Sequence, residues 1–264
     1  MLFIADNLQI TRPSVARAFA AEDASFFIEL ARSMAKAGAD AIDINTGPLP
    51  KNPRKAMTFF VDAVQEGCSL PLCLDTVNPL AMEAGLARAC HGRPIINGVS
   101  LEPSRFKAMA GLARRFDADI IAYLLTPEGR VPSDSDTRLA IAANLFAGLC
   151  DEGVLPGRII VDPICPPLAW DEGPAQARAV LETLRLLPEV LNFPVRTVAG
   201  LSNLTSGLPA PANARPALQS AYLALLCQAG LSYALLDIFC KEPVNVARAC
   251  AALLKPGVFS WEIF

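Results

Sequence analysis

The sequence predicts an α/β protein folded as one (β/α)8 barrel, a single domain over residues 1–264. Three observations carry that prediction. The length of 264 residues fits one such barrel and is large for most other single domains. Short apolar, β-prone runs alternate with amphipathic stretches along the whole chain, which implies parallel strands joined by right-handed helical crossovers. The strand-like runs number eight, the number that closes a barrel; an open doubly wound sheet is the competitor.

The first run is Leu2–Asp6. Glu22–Ala37 follows as a helix, with Phe26, Phe27, Leu30 and Met34 near helical spacing. Ala41–Asn45 and Pro71–Asp75 are the second and third strands. Helix Pro79–Ala89 opens on a proline, which suits a first helical turn, and leads to strand Pro94–Asn97. Helix Ser104–Phe116, strand Asp119–Leu125, helix Asp134–Asp151 and strand Arg158–Asp162 come next. Helix Pro174–Leu187, strand Val195–Ala199, helix Asn213–Ala229, strand Tyr233–Asp237 and helix Pro243–Leu254 complete the pattern. Gly38, Gly67, Gly153 and Gly230 fall just after helices, where a residue with positive φ ends them cheaply. The proline-rich stretch Leu208–Ala212 follows the seventh strand and reads as a βα loop, not a domain boundary.

Composition narrows the class. Hydrophobic residues make up 53% and charged residues 19%, the reverse of a disordered chain. A net charge of −3 argues against a nucleic-acid-binding surface. Mean hydropathy is +0.36, yet Ala217–Leu236, the nearest approach to a membrane span, is interrupted by Gln219, Gln228, Gly230 and Ser232, so no membrane segment is expected. The N-terminus lacks a basic region and meets Asp6 at once, unlike a secretory signal. The eight cysteines have no CxxC spacing and sit mostly in apolar stretches, as small buried hydrophobes in a reducing cytoplasm. The single histidine, His91, rules out a histidine-rich metal site and reads as a turn residue; no metal is expected.

Polar residues recur at the C-terminal ends of the strands: Asp6-Asn7, Asp43 with Asn45, Asp75 to Asn78, Asn97 to Ser100, Asp162, and Gly200 to Asn203. In a barrel these ends converge on the face that carries the active site. Asp and Asn are poor strand formers, so each costs stability unless something needs it there; capping of the following helix is the other use. The set offers carboxylates and amides. It suits a neutral, nitrogen-rich heterocycle, because a carboxylate accepts two hydrogen bonds from an amino-pyrimidine edge and an amide both gives and accepts. Cys73 alternates with Asp75 and so turns toward the lumen, and Cys165 lies in a stiff loop; neither has a basic partner that would make it a nucleophile.

These motifs resemble the pterin-binding barrel superfamily: Gly38 to Asn45, Leu74 to Asn78, Ile96 to Ser100, Val161-Asp162-Pro163 and Gly200-Leu201-Ser202-Asn203. The group holds dihydropteroate synthases, the folate domain of cobalamin-dependent methionine synthase, and methyltetrahydrofolate:corrinoid protein methyltransferases. Gly200 to Asn203 is similar to the methyltransferase version, and the lysine and arginine elements of the synthases are missing. The resemblance implies that Asp75, Asn97 and Asp162 hold the pterin edge, with Asp43, Asn45, Gly200 and Ser202 around them. It implies that Asn203 hydrogen-bonds near N5 as the catalytic group. It further implies tetrahydrofolate or 5-methyltetrahydrofolate as substrate, a corrinoid on a partner protein, and a homodimer. The other readings are a dihydropteroate synthase and a folate-binding barrel without catalysis. Two departures stand out: Asp6-Asn7-Leu8-Gln9 replaces a Glu-Arg-Ile-Asn element, and Ser206 to Pro211 replaces a loop with Gln and Arg contacts. The apolar end Val258–Phe264 is expected to cover a barrel end or meet a second subunit.

Overall fold

The computed structural model describes residues 1–47, 52–207, 211 and 213–254. Eight parallel strands close into a barrel in chain order: β1 Leu2–Gln9, β2 Ala41–Asn45, β3 Leu72–Asp75, β4 Ile95–Val99, β5 Asp119–Tyr123, β6 Ile159–Asp162, β7 Arg196–Gly200 and β8 Tyr233–Leu236. The helices among the described residues are α1 Pro13–Ala20, α2 Ala24–Ala37, α3 Pro53–Gly67, α4 Pro79–Arg88, α5 Pro103–Arg115, α6 Ser135–Asp151, α7 Gly173–Val190, α8 Ala214–Gln228 and α9 Lys241–Leu254. The open doubly wound sheet is thereby excluded.

Two helices escape the sequence reading. α1 is a short insertion between β1 and α2, and α3 fills the crossover from β2 to β3. Both start on a proline, and Asn52 caps α3 by accepting from the Lys55 N–H. Their aromatic residues form one cluster with α2: Phe19 stacks on Phe60 at 4.7 Å, and Phe27 meets Phe60 edge-on at 5.0 Å. On α2, Phe27, Ala31 and Met34 are buried, whereas Phe26 and Leu30 lie half-buried at the flank of the stripe. α7 runs three residues beyond the expected end, through Pro188 to Val190. Leu208–Ala210, Ala212 and the apolar end Val258–Phe264 lie outside the described residues.

Gly38, Gly153 and Gly230 have φ of 96°, 85° and 98° and end or follow their helices as expected. Gly67 does not: it is the last residue of α3, and its φ is not positive. Its role is close approach. A Cβ there would sit 2.4 Å from the Ile28 carbonyl oxygen and 2.8 Å from the Ala31 Cβ, so the glycine lets α3 pack directly on α2. Gly67→Ala is therefore expected to destabilise the fold by about 1–3 kcal/mol, read as a lower midpoint of chemical denaturation with unchanged slope.

Apolar side chains pack in two places. A large core lies between sheet and helices, and a smaller one fills the barrel interior with Ile4, Ala41, Cys73, Ile95, Ile121, Ile160 and Val198. At the N-terminal end of the strands Arg196 donates to Asp119 at 2.7 Å and to the Tyr233 hydroxyl at 3.1 Å. The interior is thus a packed floor, and polar groups rise above it only toward the C-terminal ends.

Candidate active site

Register brings the predicted residues into one rim. Asn45 pairs with Asp75, Asp75 with Asn97, and Tyr123 with Asp162 across neighbouring strands. Asn45 Nδ2 donates to Asp75 Oδ2 at 2.5 Å, and Asn45 Oδ1 accepts from the Gly47 N–H. Asn97 Nδ2 donates to Asp43 Oδ1 at 3.0 Å, and the Tyr123 hydroxyl donates to Asn97 Oδ1. Asp162 Oδ1 accepts from the Ile164 N–H at 2.8 Å, while its other oxygen has no partner among the described residues. Helix capping accounts for Asn78, which accepts from the Leu80 and Ala81 N–H groups, and not for Asp75, Asn97 or Asp162.

Burial sets the electrostatics. Asp162 is pushed up to about 7, with the Ile164 N–H opposing. Asp75 is pushed up to about 6 by burial, against the pull of the Arg105 guanidinium. Asp43 rises well above the usual carboxylate range through burial and then the neighbouring Asp75. Burial likewise raises Cys73, which shares a hydrogen bond with Asp43 and does face the interior, and it raises Cys165. Neither thiol is a ready nucleophile. Cys227 is also buried, Cys68, Cys150, Cys240 and Cys250 are only half-buried, and Cys90 is exposed in the turn after α4.

On the opposite side, β1 carries a register shift between Ala5 and Leu8 against β2, so the strand continues past the expected Asp6 to Gln9. The irregularity buries Asp6 and Asn7 together. Asp6 accepts from the Ser202 hydroxyl at 2.6 Å, and Asn7 donates to Asp237 at 2.6 Å. Arg12 bridges Asp6 and Asp237 at 3.4 and 3.3 Å. Ser202 thereby ties the 3-10 turn Leu201–Thr205, which follows β7, to the barrel. Asn203 sits in the same turn and is exposed, with its amide folded back over the strand end: a Cβ on Gly200 would lie 3.3 Å from Asn203 Nδ2. Gly200 leaves the room that this amide occupies.

Three polar residues at this end were not singled out from sequence. Tyr123 ends β5, and the period-two alternation Asp119, Ile121, Tyr123 is the signal that could have found it. Arg12 comes from a loop with no periodicity, whereas Arg105 stands in the first turn of α5, four residues before the buried Met109, a spacing that could have found it. Arg138 lies deeper. It is fully buried on α6 and donates through Nε to the Pro163 carbonyl at 3.2 Å, bracing the segment after Asp162. Among the described residues no group of three or more His, Cys, Asp or Glu side chains is arranged to hold a metal ion, and no helix is long and apolar enough to cross a membrane.

Comparison with known proteins gives the same architecture. Residues 8–237 match the profile of the family described as pterin binding enzyme. A methylcorrinoid:tetrahydrofolate methyltransferase of Eubacterium limosum is 25% identical over 258 residues, spanning 96% of this chain and 91% of that protein. Methionine synthase of Mycobacterium tuberculosis is 27% identical over 236 residues, which cover 86% of this chain and only 19% of that larger protein. Among solved structures, dihydropteroate synthase from Thermus thermophilus superposes with a TM-score of 0.70 at 20% identity, covering 96% of this chain and 94% of that one.

Proposed function

The chain belongs to the pterin binding enzyme family, and from that premise we propose that it moves a methyl group between N5 of tetrahydrofolate and the cobalt of a corrinoid carried on a separate protein. The observation that carries this reading is the barrel mouth, where Asp75 and Asn97 pair across β3 and β4, Asp162 ends β6 and the Asn203 amide folds back over the end of β7. The relative named a methylcorrinoid:tetrahydrofolate methyltransferase supports the same reading over nearly the full length of both chains.

Each residue has a role that its contacts support. The free oxygen of Asp162 accepts from the amino-pyrimidine edge of the pterin. Asp75 and Asn97 hold the neighbouring ring atoms, and Asn45 and Asp43 orient them through the hydrogen bonds above. Ser202 and Gly200 fix the turn and leave space for the Asn203 amide. A tertiary amine is a poor leaving group, so N5 must gain positive character before its methyl group departs. An amide already aimed at N5 stabilises that charge without reorganising. Asn203 is exposed, so the methyl group it borders is open to a cobalt presented from outside the chain. The corrinoid, as second substrate, supplies a Co(I) nucleophile in one direction and the methyl group in the other. The reading treats residues 1–264 as one domain and includes a cytoplasmic homodimer.

The test mixes the protein with 5-methyltetrahydrofolate and chemically reduced cobalamin and follows loss of the Co(I) absorbance. Conversion to methylcobalamin is expected. Folate binding without transfer to free cobalamin or to any protein-bound corrinoid would overturn the catalytic reading. Dihydropteroate formation from the pterin pyrophosphate and p-aminobenzoate would move the chain to the synthase branch.

A further inference from the structure

We propose that Tyr123 is a positioning residue that clamps the Asn97 amide in one orientation and thereby presents its remaining donor and acceptor to the bound heterocycle. The inference rests on the folate-binding reading above.

The clamp is visible as a directed chain. The Tyr123 hydroxyl donates to Asn97 Oδ1, and Asn97 Nδ2 donates to Asp43 Oδ1 at 3.0 Å. Asp43 also shares a hydrogen bond with Cys73. A primary amide has two donors and two acceptor sites. Tyr123 and Asp43 use one of each, from opposite ends of the amide. In its ionised form Asp43 accepts and cannot donate, so it demands the NH2 end; the phenol then satisfies the carbonyl end. Reversal would put the Asn97 oxygen against the Asp43 oxygen and leave the NH2 facing a hydroxyl. One N–H and one lone pair are left, pointing in directions the clamp has fixed.

Tyr123 is itself held. It packs on the apolar floor of the barrel, and a Cβ on Gly98 would lie 2.9 Å from its ring and 2.6 Å from the Ile121 carbonyl. The glycine after Asn97 is what allows the ring to lie against β4. Asn97 is almost fully buried, so an amide without the phenol would have an unsatisfied carbonyl in a water-poor site.

Tyr123→Phe keeps the ring and removes only the hydroxyl. It is expected to weaken 5-methyltetrahydrofolate binding by about 3- to 10-fold, the range for one lost hydrogen bond, as measured by calorimetry. In an Asn97→Ala background the same substitution is expected to change affinity less than about twofold, because Tyr123 acts through Asn97. Equal losses in both backgrounds, or no loss in the native background, would overturn the inference. A second measurement needs no ligand. The two amide protons of Asn97, identified in the ¹H–¹⁵N spectrum by their loss in Asn97→Ala, are expected to shift together and broaden in Tyr123→Phe as the amide turns more freely. Unchanged signals would refute the clamp even if Asn97→Ala binds too weakly for the cycle. A native protein that binds no folate, with the amide signals moving as expected, would instead leave the clamp standing and remove the functional reading.

Discussion

Asn203→Ala is expected to slow methyl transfer by about 10²–10³-fold while changing folate affinity only a few-fold. The separation of the two effects is the informative part. Asn203 is exposed, and its amide carries no hydrogen bond to another described side chain, so little of the fold depends on it. In the proposed reading the pterin edge is held elsewhere, by Asp75, Asn97 and Asp162. An interaction present only when charge develops at N5 lowers the rate and spares the ground state. Single-turnover transfer to cob(I)alamin, with calorimetric folate binding on the same preparation, measures both. A variant that transfers at the native rate removes Asn203 from the chemistry. One that loses rate and affinity in equal proportion makes it a binding residue. Gly200→Ala offers a graded version: its Cβ would press on the Asn203 amide from 3.3 Å, a contact a flexible side chain can yield to at some cost in aim.

The sequence carries much of this arrangement because barrel strands are short and their ends are punctuated. Every expected strand appears, and Asp75, Asn97 and Asp162 fall on the last ladder positions of β3 and β6 or within β4. α1 and α3 were open to the same reading as α2: each starts on a proline, and Met57, Phe60, Val61 and Val64 on α3 recur at helical spacing, while Phe19, Phe27 and Phe60 tie the three helices together only in the fold. The irregularity in β1 cannot be read from Asp6-Asn7 because two adjacent polar residues break the alternation that marks a strand. Arg12 reaches the mouth from a loop without periodicity, and Arg105 from the first turn of α5, where a charged residue does not read as part of the inward face. Tyr123 was legible by alternation, but a Tyr at the end of an apolar run resembles core; only the contact to Asn97 gives it a task. The motifs alone also leave open which residues hold others: Asp43 and Asn45 read as equal members of the site, and their hydrogen bonds make them supports for Asn97 and Asp75.

Asp162→Asn is expected to do two opposite things, and together they test whether this carboxylate is kept for a ligand. Burial pushes Asp162 up to about 7, far above the 3.8 of an exposed aspartate. The folded state therefore holds the proton more tightly than the unfolded chain, and between about pH 4 and pH 7 stability falls as pH rises. Above about pH 7 the full penalty is present, about 4 kcal/mol as an upper bound. Asparagine keeps an oxygen for the Ile164 N–H and carries no charge. The variant should then be more stable than the native protein by about 2–4 kcal/mol at about pH 8, with roughly a third of that gain at about pH 5. Folate binding should move the other way. The amide replaces an acceptor by a donor facing the amino-pyrimidine edge, and affinity should drop at least about 100-fold at about pH 8. In the native protein affinity should decline as pH falls below about 7, because only the ionised carboxylate accepts both hydrogen bonds; in the variant that dependence should flatten, leaving the weaker contribution of Asp75, pushed up to about 6. Denaturation midpoints and folate affinities on the acid and alkaline sides of that range decide the matter. A variant less stable than the native protein on the alkaline side would show that Asp162 is held by partners that favour its charge. A variant that binds folate normally would show that the free oxygen of Asp162 faces something other than the pterin.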